Sequence, residues 1–251
     1  MLLDAILTVL RETLEAGVLV SLLASASRGH GLRLIWLAVA LPSGIAAAVL
    51  YAIYLQTISA WLDGVGQELL NATLQFAICL LLLVILALTR AASRPQRALA
   101  ACMATIVVLS VSREAGEILI FLSSYLRVES DLVRALTSGL VGLFVGLSVG
   151  VLTFLVLTTV RSTIARKVQV ALLALVCVGM AVQGTQLLTQ ADWLPSGMPV
   201  WDSNGLLNEK SMVGQLVYAV FGYEATPAPA EVVALILSTC LVGAVLLWRR
   251  I

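Results

Sequence analysis

An all-α, polytopic membrane protein of seven transmembrane helices is the fold this sequence predicts, and three observations carry that expectation. The chain of 251 residues is 61% hydrophobic and 12% charged, with a mean hydropathy of +1.04. A soluble domain is about 45 to 50% apolar and about 25% charged. Apolar runs recur along the whole chain at the length of roughly 20 residues that a helix needs to cross a hydrocarbon layer of about 30 Å. Basic residues gather in alternate connections between these runs.

The first span, Leu3 to Ala26, opens with Asp4, lacks a basic start and is interrupted by Arg11, Glu12 and Glu15. That pattern excludes a signal peptide. The second, Leu34 to Leu55, carries Ala40, Gly44 and Ala48 at four-residue intervals, with Pro42 among them. The third runs from Leu69 to Leu88. The fourth, Ala98 to Leu126, exceeds a simple crossing and so calls for tilt or a bend near Gly116. The fifth, Ala135 to Val160, repeats Gly142, Gly146 and Gly150 on one stripe, and the sixth covers Val168 to Leu188. Small residues at this spacing let helices approach closely, either within one chain or between two copies, so a homo-oligomer stays open. From Thr189 to Pro229 runs a substantial loop whose Trp193, Pro195, Trp201, Phe221 and Tyr223 are too apolar for a solvated linker. It is expected to fold back over the helices or to lie at the interface. Val232 to Trp248 forms the last span.

Orientation follows from the loops. With the N-terminus outside, Arg28, Arg33, Arg90, Arg94, Arg97, Arg161, Arg166, Lys167, Arg249 and Arg250 are cytoplasmic, and only Arg127, Arg134 and Lys210 remain outside. This is the positive-inside pattern of a multi-pass protein of the cell membrane with a cytoplasmic C-terminus. It also accounts for the basic residues and leaves no nucleic-acid surface. The acids outside the spans, from Asp63 to Glu231, fall on the outer side, where they would concentrate cations or simply keep loops solvated.

Two clusters break the apolar pattern: Arg11-Glu12-Thr13-Leu14-Glu15 in the first span and Arg113-Glu114-Ala115-Gly116-Glu117 in the fourth. An ionised residue at the middle of a membrane helix costs about 2.5 to 3.5 kcal/mol on the insertion scale, which makes such residues functional candidates. The clusters are offset by 102 residues, from Arg11 to Arg113, with three spans per half. An odd number of spans inverts the second half, an arrangement that recurs in transporters with a midplane site. The expected division is therefore 1–97 for the first three-helix repeat, 98–190 for the inverted second, 191–228 for the extracytoplasmic loop and 229–251 for the seventh helix.

Helical geometry places Glu12 and Glu15 on one face, about 4.5 Å apart along the axis, and Glu114 and Glu117 likewise. The i,i+4 spacing of Arg11 with Glu15, and of Arg113 with Glu117, permits an ion pair. Each cluster keeps one negative charge in excess, which favours a bound cation or protonated carboxyls. A salt-bridge network joining the two spans is the structural alternative, although an apolar seam would pack them at lower cost. An all-oxygen donor set suits a hard cation. The only histidine, His30, lies in a loop, and Cys79, Cys102, Cys177 and Cys240 occupy four different spans without CxxC spacing.

The paired RExxE motifs resemble those of the ferric-iron permease family, which includes the bacterial Efe-system permease and the fungal high-affinity iron permease. The resemblance extends to Ala181-Val-Gln-Gly184-Thr-Gln-Leu187, to Trp193-Leu-Pro195, to Val200-Trp-Asp202-Ser-Asn-Gly-Leu-Leu207 and to Phe221-Gly222-Tyr223 with Pro227. It implies a permease in which Glu12, Glu15, Glu114 and Glu117 bind iron in transit beside Arg11 and Arg113. It also implies an extracytoplasmic iron-oxidising or iron-delivering partner and no permanently bound cofactor. Glu129, Asp131, Asp202 and Glu209 are the candidates for capturing the cation at the outer face. Two departures stand out: only the acid remains of a usual Glu-Gly pair, at Glu68-Leu69, and Thr185-Gln186 occupies a position where a Glu is common. Competing readings are a permease for another hard divalent metal and a proton-coupled exporter of a small organic cation. An intramembrane metallohydrolase is disfavoured because no span carries a histidine.

Overall fold

The computed structural model describes residues 2–89, 95–125, 129–208 and 211–247. Among the described residues there are eight α-helices and two short 3-10 turns, with no strand. The helices are α1 (Leu2–Gly29), α2 (Leu37–Ser59), α3 (Gly66–Leu88), α4 (Gln96–Ser123), α5 (Glu129–Thr159), α6 (Ser162–Gln190), α7 (Met212–Phe221) and α8 (Pro229–Leu247). Five of them, α2 (with the turn before it), α3, α5, α6 and α8, are long and apolar enough to cross a membrane. At 28 residues each, α1 and α4 are as long. Their Arg-Glu clusters keep them from reading as plain apolar spans. Many large apolar side chains on α2 and α5, such as Val39, Ile53, Phe144 and Leu152, face outward, as lipid-facing surfaces do.

Chain contacts gather the helices into two compact units, one of Met1–Tyr54 with Val107–Gln169 and the other of Leu55–Ile106 with Val170–Ile251.

In the first unit, the glycine stripe of α5 lies against α1. A Cβ on Gly142 would stand 2.4 Å from the Ile6 carbonyl oxygen, and one on Gly146 would stand 2.7 Å from the Thr13 Cβ. Farther along, Gly150 sits against Gly17, and the Ser21 hydroxyl donates to the Gly150 carbonyl at 2.7 Å. Contacts advance together along both chains, so α1 and α5 run parallel. The stripe thus serves a contact within the chain, as its spacing allowed. The small-residue face of α2 does the same against α4: Gly44 abuts Val108 and Val111, and Gly116 abuts the Tyr51 ring. These helices are parallel as well. At the far end of α1, Ser25 accepts from Gln169 at 2.9 Å and Ser27 accepts from the Trp36 indole at 3.1 Å.

In the second unit, Gln75 of α3 donates to Gln183 of α6 at 2.9 Å, and the Cys79 and Cys177 sulfurs lie 3.5 Å apart. Position decreases along α3 as it increases along α6, so this pair is antiparallel. The segment read from sequence as a loop contains the ten-residue helix α7. Its boundaries have local causes: the Ser211 hydroxyl accepts from the Gly214 amide at the start, and Gly222 at φ 66° ends it in the left-handed region. Gly222 also packs backbone to backbone on Gly179, where a Cβ on either residue would collide. The expected folding back of this segment is seen within the unit. Gln183 donates to the Tyr218 carbonyl at 3.0 Å, the Tyr218 hydroxyl donates to Gln186, and Gln186 donates to Glu224 at 3.2 Å. Tyr223 and Ser203 share a hydroxyl hydrogen bond of 2.8 Å, which holds the segment before α7 against the stretch that follows it.

Candidate metal centre

The two clusters come together in the first unit, on α1 and α4. Residues three and four apart share a helix face, so each helix can present its whole motif to the other. The pairing is antiparallel: Arg113 reaches Glu15, while Glu12 lies with Glu114 and Glu117. One carboxylate oxygen from each of Glu12, Glu114 and Glu117 lies within 4.8 Å of the other two. Oxygens on opposite sides of a hard cation with metal-oxygen distances of about 2.0 to 2.6 Å are separated by about 4 to 5 Å, so the spacing fits such an ion. Glu12 and Glu114 are 1% and 2% exposed, whereas the Glu117 side chain is a quarter exposed, at 25%. The group therefore has a buried floor and one more open side.

The arginines play unequal parts. Arg113 is buried, and its Nη2 donates to Glu15 on α1 and to Glu114 on its own helix. Its Nη1 stands 3.7 Å from Glu117, the i,i+4 contact that the spacing permitted. Arg11 turns instead to its neighbour Glu12, donating from Nε at 2.8 Å and from Nη2 at 2.5 Å, and its side chain is 39% exposed. A planar guanidinium can serve two carboxylates at once, which makes Arg113 a brace between helices and Arg11 a partner at the edge. Four carboxylates against two guanidinium groups leave two negative charges in excess. A cation or protons among the carboxylates would relieve their repulsion.

Of the other candidates, Asp202 is exposed and belongs to the second unit, where it accepts from the Asn204 backbone and side-chain nitrogens at 2.9 Å each. Glu129 and Asp131 stand in the first turn of α5 with side chains outside the described residues, and Glu209 lies outside them altogether. Where the family resemblance leads one to expect a Glu, Gln186 stands and donates to Glu224. Sequence reasoning did not bring together Gln75 with Gln183 or Cys79 with Cys177. Only the shared helical stripe of Gln75 and Cys79, four residues apart, hinted that both face one neighbour.

No curated protein and no solved structure matches this chain. The sequence profile of the iron permease FTR1 family, a family of transporters rather than enzymes, matches residues 2–248. Together with its apolar helices, that match makes this a multi-pass membrane protein with iron ions as substrate, and the chain belongs to the iron permease FTR1 family.

Proposed function

We propose that this chain is a seven-span permease that moves iron inward across the cell membrane through a midplane site built from both RExxE motifs. The observation that carries the reading is the meeting of Glu12, Glu114 and Glu117, three hard oxygen donors drawn from two helices, the first two of them buried. In this reading α1 and α4 span the bilayer with the five apolar helices. Glu12, Glu15, Arg113 and Glu114 are buried between them and Arg113 bridges the two helices, which lowers the cost of placing those charges at membrane depth. The antiparallel pairing of α1 with α4 agrees with an inverted repeat.

Iron, drawn in by outer carboxylates that include Asp202, Glu129, Asp131 and Glu209, exchanges its water shell for Glu12, Glu114 and Glu117. Glu15 joins the ligand set as Arg113 releases it, because one carboxylate oxygen cannot serve both a guanidinium and a cation equally well. Competition from Arg113 and Arg11 limits how tightly iron is held, and release inward requires such a limit. The N-terminus faces out and the C-terminus faces the cytoplasm, as the basic loops imply. Iron-oxidising or iron-delivering chemistry is supplied by an extracytoplasmic partner, with no cofactor resident in this chain.

Radio-iron uptake into proteoliposomes holding the full chain tests the reading. Glu12→Ala, Glu15→Ala, Glu114→Ala and Glu117→Ala should each abolish uptake while the protein still inserts. Unchanged uptake in Glu12→Ala or Glu114→Ala would sink it.

A further inference from the structure

Away from the carboxylates, the second unit buries two thiols side by side. Cys79 of α3 is 8% exposed and Cys177 of α6 is 0% exposed, and their sulfurs are 3.5 Å apart. The Cys177 thiol also donates to the Cys79 carbonyl oxygen at 3.4 Å, so both side chains already point into one gap. Close helix approach accompanies them: one turn away the Gln75 and Gln183 amides are bonded, and a Cβ on Gly184 would stand 3.2 Å from the Gln75 Cβ. A disulfide needs its sulfurs at about 2.05 Å, so closure asks for a movement of about 1.5 Å. Rotation of the two side chains on their helices is the movement that closure requires. By contrast, Cys102 and Cys240 have no such neighbour among the described contacts.

We propose that Cys79 and Cys177 form an oxidisable dithiol, and that a peroxide converts it to a disulfide which straps α3 to α6 and slows iron transport. The transport half rests on the permease reading above; the bond itself does not. Burial shuts out bulky or charged oxidants, which points to a small uncharged peroxide over a glutathione-like disulfide. In the first step one sulfur attacks the peroxide, a sulfur-oxygen bond forms, the oxygen-oxygen bond breaks and one water leaves with the thiol proton. In the second, the other sulfur attacks the resulting sulfenic acid, the sulfur-sulfur bond forms, the sulfur-oxygen bond breaks and a second water leaves. Two sulfurs lose two electrons in all, and one peroxide molecule takes them.

The resulting strap prevents α3 and α6 from sliding past each other, and small sliding of packed helices is one of the ordinary means of conformational change. A carrier of iron gains from such a brake, since ferrous iron and peroxide react together to give oxidising radicals.

The test uses the full chain in proteoliposomes, treated with hydrogen peroxide, cleared of it, and assayed for radio-iron uptake and by mass spectrometry after alkylation and digestion. The expected result is a linked pair of peptides bearing Cys79 and Cys177, lighter by two hydrogens than the separate peptides. A several-fold loss of uptake, reversed by dithiothreitol, should accompany it. Cys79→Ala and Cys177→Ala should keep basal uptake and lose the sensitivity, while the double variant Cys102→Ala, Cys240→Ala should retain it. Absence of the link, a link that leaves uptake unchanged, or sensitivity persisting in Cys177→Ala overturns the proposal. Uptake absent before any oxidation would overturn the permease reading instead, and the peptide link would then still decide the chemistry of the dithiol.

Discussion

The guanidinium of Arg113 on α4 donates to the carboxylate of Glu15 on α1, so each RExxE motif is held in part by a residue of the other. The same nitrogen serves Glu114, and the motif in α4 therefore sits at the centre of the charge network while Arg11 stands at its edge.

Removing one partner from a buried ion pair strands the other, at a cost of about 3 to 5 kcal/mol. Arg113→Ala should therefore lower the stability of the detergent-solubilised protein markedly. Arg11→Ala, whose side chain is 39% exposed and which serves Glu12 alone of the carboxylates bonded to it here, should cost less than Arg113→Ala. Thermal unfolding followed by circular dichroism checks the contrast, and Arg113→Ala combined with Glu15→Ala should recover part of the loss. Equal shifts for the two arginines would refute the unequal roles.

Glu15 differs from the other three motif carboxylates in being engaged by Arg113 across the helices. Glu12→Gln, Glu114→Gln and Glu117→Gln should each weaken iron binding by tenfold or more, an effect of roughly 1.4 kcal/mol or larger. Glu15→Gln should weaken equilibrium binding less than these three and still stop uptake. Binding isotherms set beside uptake rates separate these outcomes, and a Glu15→Gln protein that has lost binding in the same measure would remove the distinction.

Glycine is required where helices touch through their backbones. Gly142→Val should displace α1, because even a Cβ there stands 2.4 Å from the Ile6 carbonyl oxygen. Overpacking of this kind costs about 1 to 3 kcal/mol. At Gly116 the obstacle is the Tyr51 ring, at 2.4 Å, so Gly116→Ala should impair uptake and Tyr51→Leu should restore part of it. Gly243→Ala is the control, with nothing within 4 Å of the added carbon.

The amide pair of Gln75 and Gln183 should show the asymmetry of buried hydrogen bonds. Gln183→Leu alone leaves the Gln75 amide without its partner and should cost about 1 to 3 kcal/mol, whereas adding Gln75→Leu should recover part of that, the bond from Gln183 to the Tyr218 carbonyl staying lost. Melting temperatures of the two single variants and the double variant decide it.

Much of the fold was legible because hydrophobic run length reports helices directly. The seven apolar runs correspond in order to α1 to α6 and α8, and α7 was passed over although Ser211 and Gly222 mark its ends. The acidic residues of the candidate site were legible because charge in an apolar run is costly and so must be explained, and the 3 and 4 residue spacings fix which side chains share a face.

What the sequence determined by itself was local: helix lengths, the faces of the motifs, the glycine stripe and the family. Only the tertiary structure decided that α5 is the helix against which α1 lies, that Arg113 reaches Glu15 while Arg11 stays with Glu12, and that Cys79 meets Cys177. Periodicity specifies the direction of a side chain from its own axis but not which neighbouring axis it will meet. That choice depends on the packing of all the faces at once, and two identical spacings, Arg11 with Glu15 and Arg113 with Glu117, ended in different pairings for that reason.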